Sequence, residues 1–229
     1  MRKKLILVMV FIFTVISSST SFAKDFNNDF EFLAGKFKTN DAHNLDTTIF
    51  TYKDNGANIF LPSELKLFMG EKIKDKQKNN YNILDFSAYK ELKLGQGRNY
   101  IGLGLNSLNK TEPNAKAEGY TIPITLKTEQ IISEKSTFIA SLSYSPFGKY
   151  NVNSKTLDYK GRLSGYKIDL SVKGKLTDTF DIKIGYLNQN YKFASDSNPN
   201  NKTDNNQVKE IASYNESFNG LYLGAEISF

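Results

Sequence analysis

Few residues in this chain could do chemistry, and the single histidine comes first. His43 stands in the polar stretch Asn40-Asp41-Ala42-His43, with Asp41 and Asp46 on either side. A serine nucleophile would need such a histidine as its base, oriented in turn by an acid. A water-activating protease would need it beside acidic pairs. No recognisable motif supplies either set of partners, so His43 reads as a solvated side chain and the expectation is a protein without a catalytic site. Gly95-Gln96-Gly97, with Gly102 and Gly104, has the look of a phosphate loop. That chemistry requires a helix to follow, and the pattern that follows is a strand, so these are turn and strand glycines. With no Cys, one His and no calcium-loop spacing, no metal and no cofactor is expected. What remains is ionic: Glu64, Lys66, Asp85, Glu91, Lys93, Lys167, Asp169, Lys173, Asp181, Lys183 and Glu226. Their meaning depends on the elements that hold them.

Those elements are strands. From Ser164 to Leu176, Tyr166, Ile168, Leu170 and Val172 alternate with Lys167, Asp169, Ser171 and Lys173. Side chains of a strand point alternately to opposite faces, so one face is apolar and the other charged. Phe180, Ile182, Ile184 and Tyr186 repeat the pattern around Asp181 and Lys183, and so do Tyr120, Ile122, Ile124 and Leu126. Phe138, Ala140, Leu142 and Tyr144 follow suit, as do Leu221, Leu223, Ala225, Ile227 and Phe229. Ten strands are predicted, over 28–38, 47–53, 57–70, 81–94, 99–106, 118–131, 136–147, 159–176, 179–194 and 209–229. If 47–53 and the segment interrupted by Pro62 fail, eight remain. Pro123 and Pro146 each remove a ladder donor, which predicts bulges or rim positions there.

The ends and the bulk composition set the compartment. Arg2, Lys3 and Lys4 precede the apolar run Leu5 to Ile16, and small residues lead to Ser21-Phe22-Ala23. This is the pattern of a secretory signal peptide over 1–23, which leaves 24–229 as one domain. The run is too short for a transmembrane helix, which needs about 20 residues. The formal charge of +6 falls to about +3 once the three leader cations are set aside, too little and too dispersed for nucleic-acid binding. Mean hydropathy of −0.45 does not separate a soluble protein from a membrane barrel, in which only alternate residues meet lipid.

A sandwich of two sheets also alternates apolar and polar faces. Three features favour a closed barrel in a membrane. The alternation from Ser164 to Leu176 outlasts the usual strand of about 5–6 residues and suits the roughly 9–11 of a tilted membrane strand. The polar faces carry paired charges on neighbouring strands. Aromatic residues, among them Tyr81, Tyr100, Tyr120, Tyr144, Tyr150, Tyr159, Phe180, Tyr191 and Phe193, gather at strand ends as interfacial girdles do. Short turns at 54–56, 95–98, 133–135 and 177–178 alternate with polar stretches at 38–46, 71–80, 107–118, 148–158 and 195–207. The latter predict five long loops on one rim. The fold expected is therefore all-β: a single antiparallel transmembrane β-barrel of ten strands, with eight as second choice, short periplasmic turns and long outer loops.

The final segment, Gly220-Leu-Tyr-Leu-Gly-Ala-Glu-Ile-Ser-Phe229, resembles the closing strand of small Gram-negative outer-membrane β-barrel proteins. Those end on Phe with apolar residues at alternate positions, here Leu221, Leu223, Ala225, Ile227 and Phe229. Ala225 stands where the family often carries an aromatic. The resemblance implies an outer-membrane location, recognition of this strand by the barrel-assembly machinery, and contact with outer-membrane lipid and lipopolysaccharide. An eight- to ten-stranded barrel is about filled by its own side chains, so the ionic set is expected to form a salt-bridged plug rather than a conduit. The expected function is structural, or surface interaction and adhesion through the outer loops with a surface ligand. A narrow porin-like pore is the alternative, and a hydrolase using His43 the third reading.

Overall fold

The computed structural model describes residues 28–40, 44–55, 61–74, 77–95, 97–154, 159–195 and 214–229. Residues 1–23, read above as a leader, lie outside this set, as does His43. Ten strands run in chain order: β1 Asn28–Thr39, β2 Asn44–Asp54, β3 Ser63–Lys74, β4 Gln77–Leu92, β5 Arg98–Glu112, β6 Ala115–Ser133, β7 Ser136–Ser154, β8 Tyr159–Lys175, β9 Phe180–Ser195 and β10 Tyr214–Ser228. Each pairs antiparallel with its neighbour in sequence, and β1 pairs with β10, so the sheet closes on itself. Closure leaves no strand edge, the condition for a sheet to stand in lipid.

The seam is tight. Phe229 N–H donates to the Asn28 carbonyl at 2.9 Å and Asn28 N–H returns the bond at 3.3 Å. Ile227 lies opposite Phe30, Ala225 opposite Phe32 and Leu223 opposite Ala34. At Gly224 a Cβ would strike the Phe32 carbonyl oxygen and come within 2.7 Å of Leu33 Cα, so the strands can approach here only without a side chain. Gly95 (φ 62°) and Gly97 (φ 89°) supply the left-handed backbone of the β4–β5 turn. The prolines act as expected. The β6–β7 register shifts between Ile122 and Ile124, around Pro123, and the β7–β8 register shifts between Ser145 and Lys149, around Pro146. Pro62 ends up just ahead of β3.

The five polar stretches read as long loops fold differently. Only the β9–β10 connection, 196–213, is long; β5 and β6 are joined through residues 113–114 and β3 and β4 through 75–76. The other two connections, 40–43 and 155–158, are also short. The polar stretches became strand because alternation continues through them with inverted polarity. Leu108 is buried inside the barrel while Asn109 and Thr111 face out, and Ala117 is buried while Lys116 and Glu118 face out.

The inversion recurs on all ten strands at one level. Toward the turn end, which carries both chain ends of the barrel, the exterior is apolar: Phe32, Phe50, Leu67, Leu84, Leu103, Ile124, Leu142, Leu170, Ile184 and Leu223. Toward the loop end it is polar: Lys36, Asp46, Glu71, Asn82, Asn109, Glu118, Lys149, Arg162, Asn188 and Asn219. β6 and β7 have 19 residues each. At about 3.3 Å per residue and a tilt of about 40° such strands rise roughly 50 Å, twice the roughly 25 Å apolar band of a membrane barrel. The loop-end half therefore stands out in water. Lysine at the mid-belt position Leu103 should cost about 2–4 kcal/mol in lipid vesicles, whereas lysine at Asn109 of the same strand should cost under about 1 kcal/mol. Urea unfolding of L103K and N109K in vesicles checks this, and equal costs would contradict the inversion.

Candidate functional site

Inside the barrel the polarity is the complement of the outside. Behind the apolar belt lies a layer of paired charges. Glu31, fully buried on β1, accepts from Lys183 Nζ at 2.8 Å, from Lys53 Nζ at 3.3 Å and from Thr51 Oγ1 at 3.1 Å. Lys53 also pairs with Glu226, which takes Lys173 Nζ at 2.7 Å, and Lys173 reaches Asp181 at 3.3 Å. One ionic chain thus crosses β9, β1, β2, β10 and β8. A second links Asp169, Lys66, Glu64, Lys127 and Glu129, with separations of 3.2, 3.2, 3.6 and 3.0 Å in that order. Lys167 pairs with Asp85, and Tyr222 donates to Asp169. Among the described residues these links join seven carboxylates to six ammonium groups. The layer is close to neutral, as charges withdrawn from water must be.

Nine of the eleven residues proposed from sequence meet in this layer. Glu91 and Lys93 do not. Glu91 is exposed at the turn-end rim, and Lys93 follows Leu92, the last residue of β4. Alternation assigns a face but not a height, and both positions run past the packed layer. The sequence reading also missed Glu31, Lys53, Lys127 and Glu129. Glu31 was legible, since it alternates with the outward Phe30 and Phe32. In the β8–β9 turn, outside the membrane, Lys175 Nζ donates to Asp178 at 2.8 Å and holds its carboxyl below the usual carboxylate range.

Above the charges the lumen is apolar, against the expectation of a polar interior throughout. Phe37, Leu45, Phe68, Tyr81, Leu108, Tyr150, Leu163, Phe193 and Phe218 are all buried there. Phe68 lies between Phe37 and Phe218, with ring centroids 5.7 Å from each. Tyr81 meets Phe218 edge-on at 5.0 Å, Tyr150 meets Phe193 at 5.0 Å, and Phe193 stacks on Tyr214 at 4.4 Å. Lys110 caps the stack, 5.5 Å from the Tyr81 ring and paired at 2.9 Å with Glu216, which also accepts from the Tyr81 hydroxyl at 2.9 Å. The girdle assignment is corrected accordingly. Tyr81, Tyr150, Tyr191 and Phe193 point inward and are buried. Tyr120 and Tyr144 face out, and Tyr166 and Tyr186 join them at the level where the exterior changes polarity. Placement near a strand end did not reveal parity.

Of the closing-strand residues, Leu221 and Leu223 are exposed to the outside, while Ala225 and Ile227 are half-buried along the seam. Asp46 lies on the exterior of β2, turned away from the lumen.

No protein-family model matches the chain, and no curated protein matches it. The chain is similar to solved structures over most of its length. The outer membrane protease OmpT from Escherichia coli is 10% identical, with 88% of this chain and 96% of that chain covered and a TM-score of 0.48. Neisserial surface protein A is 10% identical over 88% and 96%, with a TM-score of 0.40. The translocator domain of autotransporter NalP from Neisseria meningitidis is 10% identical over 94% and 93%, with a TM-score of 0.41.

Replacing Glu31 with alanine leaves Lys183 without its close partner and removes one of two from Lys53. The expected loss is about 3–5 kcal/mol, as for breaking a buried pair, and the E31L/K183M double variant should recover most of it. Urea midpoints of the three proteins in detergent check this.

Proposed function

We propose that this protein is an outer-membrane barrel that works as a closed platform, non-enzymatic, holding its loop-end half above the membrane for structural or surface-interaction use. The observation that carries the reading is the doubly filled lumen. The ionic layer and the aromatic layer both cross the barrel, and Phe37 and Phe218 at the centre of the upper layer have 0% exposure. A path for solutes would have to break both. The apolar belt supports the membrane location. The orientation proposed puts the rim at which β1 begins and β10 ends toward the periplasm, and the opposite rim, where β9 passes to β10, outside. The non-enzymatic reading is supported by the carboxylates of the ionic layer, each of which faces a lysine. Residues 1–23 supply the export signal in this reading, and the C-terminal strand the contact with the assembly machinery.

Three measurements test it. The protein should sediment with the outer membrane as a compact band that shifts on boiling. In planar bilayers it should give no discrete steps at modest voltage, and regular open channels would overturn the closed platform in favour of a pore. Cells carrying the protein with 196–213 replaced by a short Gly-Ser turn should adhere several-fold less to a host matrix; undiminished adhesion would remove the surface-interaction role.

A further inference from the structure

The lumen is not filled all the way to its turn-end rim. A cavity of about 110 Å³ lies below the ionic layer, well above the roughly 10–15 Å³ that one water needs. Its floor is the ionic layer itself, through Lys53, Glu64, Lys127 and Lys173. Its mouth is formed by residues at strand ends: Asp29, the second residue of β1, Asn55, just past β2, and Arg98, the first residue of β5. Asn55 and Arg98 are exposed. One wall is aromatic. Tyr89 and Tyr100 meet edge-on with ring centroids 6.2 Å apart. Lys127 Nζ stands 5.5 Å from the first ring and 5.8 Å from the second.

The lining narrows the class of ligand. Among the described residues it carries four acids and four bases. A ligand of one sign would meet as much repulsion as attraction, and an apolar one would find only Ile139 and Pro62 as aliphatic surface. A ligand bearing both signs brings its own neutrality, as charges leaving water require. A neutral sugar would forgo charge-assisted hydrogen bonds, which are about twice as strong as neutral ones. Register narrows the class further. Arg98 lies directly opposite Glu129 across the β5–β6 ladder, and such residues place their Cβ atoms about 5 Å apart. The guanidinium fork takes a carboxylate through two parallel hydrogen bonds. Glu129 accepts from Lys127 Nζ at 3.0 Å and still keeps 25% of its side chain exposed, open to an ammonium group. Opposed groups this close suit a carboxylate and an ammonium carried on one carbon. Tyr100, two residues along β5 from Arg98 and half-buried, offers a face to the methylenes that follow.

We infer that the turn-end vestibule binds the head group of an α-amino acid, its carboxylate on Arg98 and its ammonium on Glu129, with the aliphatic stem along Tyr100. The head-group chemistry follows from the lining. The source of the ligand rests on the orientation proposed above, in which this mouth opens to the periplasm. Two sources offer the chemistry there: free diamino acids, and the stem peptides of the cell wall, whose diamino acid keeps an ammonium and a carboxylate on one carbon.

The test uses the full barrel purified in mild detergent and titrated by calorimetry. The probes are free meso-diaminopimelate, a soluble stem peptide that carries it, and the same peptide acetylated on its free amine. The proteins are wild type, R98Q, E129Q and a control, E134Q/K135Q, which removes one acid and one base from the exposed β6–β7 turn of the same rim. R98Q should bind about tenfold more weakly, as loss of a charge-assisted pair requires, with the control unchanged and every band still heat-modifiable. E129Q and acetylation of the amine should each cost several-fold. Should E129Q misfold, the exposed R98Q and the acetylated probe still decide the matter. Free diaminopimelate binding as tightly as the stem peptide would make the free diamino acid the ligand, and binding of the stem peptide alone would make it the cell wall. No binding by wild type, equal affinity in R98Q, or indifference to acetylation overturns the site. Tighter binding of a neutral disaccharide overturns the ligand class. Labelling of R98C on intact cells by a membrane-impermeant maleimide would instead overturn the orientation, and head-group binding in detergent would be unaffected by that result.

Discussion

The structure depends on closure of a single hydrogen-bond ladder. A sheet with free edges cannot stand in hydrocarbon, because each unpaired backbone group costs several kcal/mol there. Here the β1–β10 seam removes the edges, and Gly224 makes the seam close enough to bond. Once the cylinder is closed, every residue is committed to inside or outside by parity alone. What each side meets then decides which residue types can stand there.

Two solvents act on the outside, and the inside answers both. Where hydrocarbon covers the wall, the core inside needs no greasy contents, since the apolar outward residues are already out of water. Polar residues can fill it provided they pair, and the Glu31–Lys183 and Lys66–Asp169 links do so. Where water covers the wall, the barrel becomes an ordinary soluble fold with polar residues out and an aromatic core in. The protein is thus two architectures stacked on one set of strands. The aromatic stack of Phe37, Phe68 and Phe218 belongs to the soluble half, which is why it fills the lumen.

This duality explains what could be read from sequence. Strand number, pairing order and parity were legible, because alternation around Ile168, Ile184 or Ile124 is strong and the prolines announced their bulges. The upper strands were not, because stretches such as Ser107 to Glu118 are rich in Asn, Lys and Glu and carry small inward residues such as Ala117. Loop composition and a strand with one wet face look alike when hydrophobicity is averaged. The ionic layer was legible by residue type and parity but not by height, so Glu91 and Lys93 were included and Glu31 and Lys53 passed over. The aromatic layer was misassigned because Tyr81 or Tyr150 near a strand end fits a girdle as well as a core until parity is counted from a residue of known face.

The level at which polarity inverts is the central claim, and it can be measured by placing spin labels on outward positions of two strands in lipid vesicles. Labels at 103 on β5 and 124 on β6 should be relaxed by oxygen, which partitions into hydrocarbon. Labels at 109 on β5 and 118 on β6 should be relaxed by a water-soluble nickel complex, with the crossover between Leu105 and Ser107 and between Tyr120 and Glu118. Oxygen access continuing through 109 and 118, or nickel access reaching 103 and 124, would contradict the account.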